Sequence, residues 1–263
     1  MSSSGTTTAS DGAELYFEES GEGAPLLLLH GFTGVGADWA HVFQAANLRG
    51  YRRIVPDARG HGRSTNPGEF GFRRCARDVL GLMDQLGLAR VAAIGMSLGA
   101  KTLLHVASAA PERIERLVLV SATPRFPPAT RELFRAFAAA EHTPEEWGEM
   151  RAKHHGGDAA IAELWRLPLR FAEDPDDLLL MPDQLARIHA KTLIVAGDRD
   201  PLYPLELAEE LQRGIAGSEL AVVRGGGHCP IFAPDEREAF VARVEAFFAR
   251  VTTPPLDSSS DPR

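Results

Sequence analysis

The chain has 263 residues, 44% of them hydrophobic, so it is long and apolar enough for one domain with a sizeable core. Its formal net charge of −8 at pH 7 disfavours nucleic acid or an anionic membrane as a partner, because both attract basic surfaces. The two cysteines, Cys75 and Cys229, are far apart and lack metal-ligand spacing, so we expect reduced thiols in a cytoplasmic protein and no disulfide framework.

Both ends of the chain are predicted to be disordered tails, at residues 1–12 and 252–263. The first ten residues have neither the basic stretch nor the apolar stretch of a signal peptide. No apolar run elsewhere approaches the ~20 residues that are needed to cross a bilayer. We therefore expect neither a secretion signal nor membrane insertion.

Short apolar runs alternate with helix-like segments in two parts of the chain, residues 13–124 and 186–251, which are predicted to form one core. Runs of this length suit strands that are buried on both faces of a mostly parallel sheet. The predicted strands lie near residues 14–18, 25–30, 52–57, 90–95, 116–121, 191–196 and 219–224. The predicted helices lie at residues 37–48, 71–86, 98–109, 204–213 and 235–250.

The alternation breaks at residues 125–185, where helical periodicity continues without a convincing strand. This segment contains several aromatic residues, among them Phe134, Phe137, Trp147 and Trp165. Such side chains either line an apolar substrate pocket or only hold neighbouring helices together. Both interpretations remain open for each residue.

The stretch Gly95-Met96-Ser97-Leu98-Gly99 follows one apolar run and opens a helix-like segment. A serine with glycines two residues away on each side is typical of a nucleophile elbow, in which the turn from strand to helix leaves no room for side chains. A serine hydroxyl is a poor nucleophile at neutral pH and needs a base within hydrogen-bonding distance. The pattern therefore predicts a histidine partner elsewhere in the chain.

Two further segments supply an acid and a base in a defined order. Asp198 and Asp200 follow the apolar run at 192–196, and His228 follows three glycines. Upstream, an apolar run ends in His30-Gly31-Phe32. The order serine, aspartate, histidine differs from that of the other common serine triads. With these features in this order, the chain resembles the Ser-dependent members of the α/β-hydrolase superfamily over residues 13–250.

The resemblance implies a mostly parallel central sheet flanked by helices, with a small helical cap, residues 125–185, inserted after the sixth strand. It also implies a role for each motif residue. Ser97 would be the nucleophile, His228 the general base and acid, and Asp200 the acid that orients the imidazole. The backbone N–H groups of Phe32 and Leu98 would form the oxyanion hole.

Asp198 and His30 are expected to have structural roles. Asp198 competes with Asp200 for the role of the acid, but the family places its acid three residues after the glycine, as Asp200 stands after Gly197. Asp198 is then expected to bind loop backbone, and His30 to hold the oxyanion turn. The loop at 57–64 contains one His and two Arg, and in the family this loop is also structural.

The reaction predicted from these residues is hydrolysis of a small to medium, mostly apolar carboxylic ester, lactone or thioester, without cofactor or metal. A serine at the elbow excludes the epoxide hydrolases and haloalkane dehalogenases, which need a carboxylate there. A C–C bond hydrolase, a perhydrolase, a lyase or cyclase, and a binding protein remain alternatives on this scaffold. Cys229 stands where the C–C hydrolases often carry tryptophan. The oligomeric state is left open.

Overall fold

A computed structural model of the protein describes residues 2–249. In this range the chain forms an eight-stranded sheet with the order β1-β2-β4-β3-β5-β6-β7-β8. The strands are β1 (Ser2–Thr8), β2 (Glu14–Ser20), β3 (Ala24–Leu29), β4 (Tyr51–Pro56), β5 (Val91–Met96), β6 (Ile114–Val120), β7 (Lys191–Gly197) and β8 (Glu219–Val223). The helices are α1 (Phe72–Gln85), α2 (Leu98–Ala109), α3 (Pro128–Ala138), α4 (Pro144–Lys153), α5 (Gly157–Glu173), α6 (Pro182–Ala186), α7 (Leu205–Gly214) and α8 (Pro234–Ala249).

The strands from β3 to β8 pair in parallel, and both faces of this part of the sheet are covered. Successive residues of β3 point to opposite faces, so that Leu27 and Leu28 belong to different apolar clusters. The cluster of Leu27 includes residues of α1, α2 and α7. The cluster of Leu28 includes residues of α8 and of a short 3-10 helix, Gly36–His41. The predicted sheet flanked by helices is confirmed.

The helix predicted at residues 37–48 is wrong beyond its first turns. Only the 3-10 helix Gly36–His41 forms, and turns follow it. The Asn47 side chain accepts the backbone N–H of Gln44, and Leu48 has a φ of 53°. The apolar spacing of this stretch suits a helix. A residue in the left-handed region and a backbone N–H that donates to a side chain instead of a helical carbonyl both interrupt the helical hydrogen-bond pattern.

The predicted disorder of residues 1–12 is wrong for residues 2–8, which form β1. This strand pairs antiparallel with β2 along its whole length, and Thr7 is buried. Gly5 lies over the ring of Phe17, where a Cβ atom would approach the ring to 2.7 Å. The strand lacks an apolar run of its own, but its threonines suit a pleated surface once β2 offers a partner. The predicted tail at 252–263 lies outside the described residues.

Between β6 and β7 the chain forms helices α3 to α6, where the sequence predicts the cap. Helices α3 and α5 pack against each other over the carboxyl ends of the strands. The end of α4 is tied to the core by His154, whose Nδ1 accepts the N–H of Gly62 at 2.8 Å and whose Nε2 lies 3.1 Å from the carbonyl oxygen of Thr33. No helix within residues 2–249 combines the length and the apolar character needed to span a membrane.

Candidate active site

Ser97 occupies the sharp turn between β5 and α2, with φ 48° and ψ −105°. A Cβ atom on Gly99 would overlap the carbonyl oxygens of Leu29 and His30, and one on Gly95 would lie 2.7 Å from the backbone nitrogen of Ala100. Contacts this close exclude a side chain at either glycine, which explains the spacing of the motif. The strained turn leaves Ser97 at the carboxyl end of β5, in a cavity that helices α3 and α5 also line.

The structure brings Ser97, His228 and Asp200 together. His228 follows β8, and its Nε2 lies 2.9 Å from Ser97 Oγ. Its Nδ1 lies 2.8 Å from Asp200 Oδ2. A carboxylate only accepts hydrogen bonds, so Nδ1–H donates to Asp200 and Nε2 is free to accept the hydroxyl proton of Ser97. The imidazole is thereby held in the form that a general base requires.

Asp200 and Asp198 have different surroundings. The buried side chain of Asp200 also accepts the N–H groups of Leu202 and Tyr203 through Oδ1, at 2.8 and 3.1 Å. The side chain of Asp198 instead accepts the N–H of Gly225 at 2.6 Å, in the loop that carries His228. Asp200 therefore contacts the imidazole, whereas Asp198 fastens the loop beside it.

Leu98 follows Ser97 in the chain, and Phe32 lines the same cavity as Ser97. Leu98 is the first residue of α2, so its N–H lacks a helical partner. Neither residue's N–H donates to an acceptor within residues 2–249, and both residues line the same cavity as Ser97. His30 shapes this turn: its Nδ1 contacts the carbonyl oxygen of Gly31 and its Nε2 accepts the N–H of Ala58. Burial lowers the pKa of His30, which favours the neutral ring that this pairing needs.

A cavity of about 460 Å³ opens above Ser97. Its wall is largely apolar on the side of the cap and of the loop before α7, where Phe134, Phe171 and Leu202 contribute. The opposite rim is polar, because Asp38 pairs there with Lys153 of the cap at 3.1 Å. The cavity thus offers an apolar compartment beside the serine and a charged rim at its entrance.

Of the four aromatic residues predicted for the pocket, Phe134 alone lies on the cavity wall. Trp147 and Trp165 do not line it, which corrects the prediction. Their rings meet edge to face at 4.5 Å, and Trp165 stacks on His142 at 3.7 Å, so they join cap helices to one another. Phe137 also lies outside the cavity and is 41% exposed, with its ring 6.0 Å from that of Phe32.

Sequence reasoning missed Lys101 and Tyr203, which line the same cavity as Ser97. Lys101 Nζ lies 2.7 Å from the Tyr203 hydroxyl and 3.4 Å from Ser97 Oγ. Burial lowers the pKa of Lys101 to about 7 and raises that of Tyr203 well above its usual value. Lys101 stands four residues after Ser97, and this spacing on a helix predicts that the two side chains are neighbours.

The loop at 57–64 contacts the turn that follows β3, because the N–H of Ala58 donates to His30 Nε2. Arg59 is fully buried and pairs with Asp78 through two hydrogen bonds of 2.7 Å. Asp57 accepts the N–H groups of Gly36 and Arg63. These contacts fit the structural role expected for the loop. No group of three His, Cys, Asp or Glu side chains that could hold a metal occurs in residues 2–249.

Comparisons with known proteins identify the family of this chain. Residues 24–157 match the model of the alpha/beta hydrolase fold family, and residues 179–260 match that of the TAP-like proteins. A putative non-heme chloroperoxidase of Synechocystis is 27% identical over 82% of this chain and 88% of its own length. The 2-hydroxymuconate semialdehyde hydrolase of Pseudomonas putida is 28% identical, over 88% of this chain and 89% of its own.

A solved structure is similar over almost the whole chain. The esterase EaEST of Exiguobacterium antarcticum superposes with a TM-score of 0.75 and 26% identity, covering 93% of this chain and 98% of its own. The similar proteins thus bear names of three different activities. The chain belongs to the α/β-hydrolase family of enzymes.

Proposed function

We propose that this enzyme is a serine hydrolase that cleaves a small to medium, mostly apolar carboxylic ester, lactone or thioester through an acyl-enzyme intermediate. The observation that carries the proposal is the continuous hydrogen-bonded series from Ser97 Oγ through His228 to Asp200, with distances of 2.9 and 2.8 Å. Each member has the partner that its proposed role requires.

In the first half of the reaction, Ser97 Oγ attacks the substrate carbonyl carbon while His228 Nε2 takes the hydroxyl proton. The imidazolium that forms is stabilised by the Asp200 carboxylate, which is already fixed by two backbone N–H groups. His228 then gives the proton to the leaving group, which departs as an alcohol or thiol. The acyl group remains on Ser97 as an ester.

The carbonyl oxygen becomes negatively charged during this attack and needs donors that are already in position. The N–H groups of Phe32 and Leu98 are proposed to supply them, aided by the positive end of the α2 dipole. The removal of one such donor typically costs on the order of 10²–10³ in rate. In the second half, water attacks the acyl-enzyme with His228 as the base, and the carboxylic acid leaves.

The cavity supports the proposed substrate class. Its volume of about 460 Å³ lies within the usual range for small-molecule sites. The wall formed by Phe134, Phe171 and Leu202 suits an apolar acyl or ring group. The substrate is accordingly proposed to place its apolar part against the cap and its carbonyl group at Ser97.

The proposal is tested by treatment with a fluorophosphonate probe and measurement of the intact mass. The wild type should gain one adduct, and Ser97→Ala should gain none and lose ester turnover by ~10³-fold or more. A panel of esters, lactones, thioesters and a meta-cleavage product then ranks the substrates. Wild-type turnover by a well-folded Ser97→Ala variant would refute the mechanism.

The two aspartates provide a matched pair for the third residue. Asp200→Asn should lower kcat by ~10³-fold or more, because an amide at this position favours the wrong tautomer of His228. Asp198→Asn should keep most of the activity, since the Asp198 carboxylate accepts the loop N–H of Gly225 and does not orient the imidazole. The reverse order of the two effects would show that the acid is wrongly assigned.

A further inference from the structure

Lys101 is a buried cationic side chain beside the nucleophile. It lies one helical turn after Ser97 on α2, is 3% exposed, and directs Nζ to 3.4 Å from Ser97 Oγ and 2.7 Å from the Tyr203 hydroxyl. A lysine at such depth is costly unless its amine is paired or neutral. Its position therefore calls for a functional explanation.

The surroundings of Lys101 are mainly aromatic. Aromatic rings of Phe72, Phe126 and Tyr203 lie with their centres 5.7, 5.5 and 4.7 Å from Nζ. Within residues 2–249, no carboxylate forms an ion pair with this amine. A methionine would fill the same apolar space without the cost of burying an amine.

We propose that Lys101 is a further catalytic residue of this enzyme, one that donates a hydrogen bond to Ser97 Oγ when that oxygen leaves the acyl group, and that Tyr203 positions the Lys101 amine. The inference rests on the proposed serine hydrolase function. It concerns the second half of the reaction, in which Ser97 Oγ is the leaving atom.

Lys101 acts while the acyl-enzyme is hydrolysed. Water adds to the acyl carbon and gives one proton to His228 Nε2, forming a tetrahedral intermediate. The bond between the acyl carbon and Ser97 Oγ then breaks, and its electron pair goes to Oγ. The proton on His228 moves to Oγ, and the carboxylic acid is released. The N–H of Lys101 stabilises the charge that develops on Oγ before that proton arrives, and no proton leaves Lys101.

The protonation states of the pair agree with this role. Burial lowers the pKa of Lys101 to about 7, so the amine form is populated near neutral pH. Lys101 Nζ donates one N–H to the Tyr203 hydroxyl oxygen, and the raised pKa of Tyr203 keeps that hydroxyl uncharged. A second N–H of the amine then faces Ser97 Oγ. An uncharged amine also avoids repulsion with the imidazolium that forms on His228.

The test separates formation of the acyl-enzyme from its hydrolysis, with p-nitrophenyl butyrate as the substrate. In Lys101→Met the burst of p-nitrophenol should keep its rate within about twofold, while the deacylation rate falls about tenfold, equivalent to ~1.4 kcal/mol. The acyl-enzyme should then accumulate and be visible by intact mass. Lys101→Gln, which keeps an N–H donor, should lose less, and Tyr203→Phe should slow the same step.

Two controls guard against a structural effect. Thr102→Val changes the next residue of the helix, whose hydroxyl donates to the Leu98 carbonyl oxygen, and should leave both rates unchanged. Lys101→Met should also raise the Tm, because it removes a buried amine. A Lys101→Met variant that slows both steps equally, or neither, would overturn the inference. Undiminished turnover and labelling in Ser97→Ala would instead overturn the proposed function itself.

Discussion

His105 should make the protein less stable in mild acid. The residue lies in α2, is 6% exposed and stacks over Phe72 with ring centres 6.5 Å apart. Within the described residues its Nε2 has no hydrogen-bond partner. Burial, together with the nearby charge of Arg73, lowers the pKa of His105 from 6.5 to about 4. The folded protein therefore keeps this ring neutral over a pH range in which the unfolded chain protonates it.

The sign and size of the effect follow from proton linkage. Above pH 6.5 neither state protonates the ring, so its neutral burial has no pH-dependent cost. Below pH 6.5 the unfolded state takes up the proton, and the free energy of unfolding falls by about 1.36 kcal/mol per pH unit until pH 4. Between pH 7.5 and pH 5.0 the loss due to His105 is about 2 kcal/mol.

The assay is urea unfolding at pH 7.5 and 5.0, followed by tryptophan fluorescence. His105→Asn keeps a donor near the Leu178 backbone, to which the ring hydrogen bonds, but does not titrate in this range. Its loss of stability between the two pH values should be about 2 kcal/mol smaller than that of the wild type. His189→Asn, at an exposed histidine, is the matched control and should resemble the wild type. Equal losses in His105→Asn and in the wild type would refute the argument.

Four further changes test the site and the cap. Gly99→Ala should lower kcat/KM by ~10²-fold or more because its Cβ displaces the elbow, whereas Gly148→Ala, which has open space around its Cβ, should leave kcat/KM unchanged. Trp165→Ala should lower the free energy of unfolding by about 3–5 kcal/mol, measured in urea, since the ring is buried between cap helices. Phe134→Ala should alter KM for long acyl chains more than for acetate esters, and an equal change for both would place this ring outside the acyl site. His154→Ala should free the end of α4, which limited proteolysis would detect as faster cleavage near that residue.

The parallel strands are predictable because burial on both faces requires continuous apolar runs. All seven predicted strands occur, with bounds that move by at most a few residues. The first strand lacks such a run. Its threonines and Gly5 form a strand because β2 presents an edge with which they pair, and this pairing through the backbone requires no apolar run in the sequence.

Some side chains of the site are likewise predictable from the sequence, and others are not. The turn at Ser97 and the loops of Asp200 and His228 have a local signature, because close approach of the backbone demands glycine at fixed spacing. The direction in which a side chain of a cap helix points has no such local signature. Trp165 and Phe134 both lie on apolar faces of cap helices, but one faces another helix and the other faces the cavity. Apolar spacing in a sequence predicts that a side chain is buried, but it does not predict which surface that side chain packs against.

One loop fixes both ends of the hydrogen-bonded system around Ser97. Asp200 contacts His228, and Tyr203, three residues later, contacts Lys101. The N–H of Tyr203 also donates to Asp200 at 3.1 Å, which closes the series into a ring through the loop backbone. A shift of this loop therefore moves the orienting acid and the Lys101 partner together. Substitutions that loosen the loop should impair both halves of the reaction at once, whereas Lys101→Met should impair only the second.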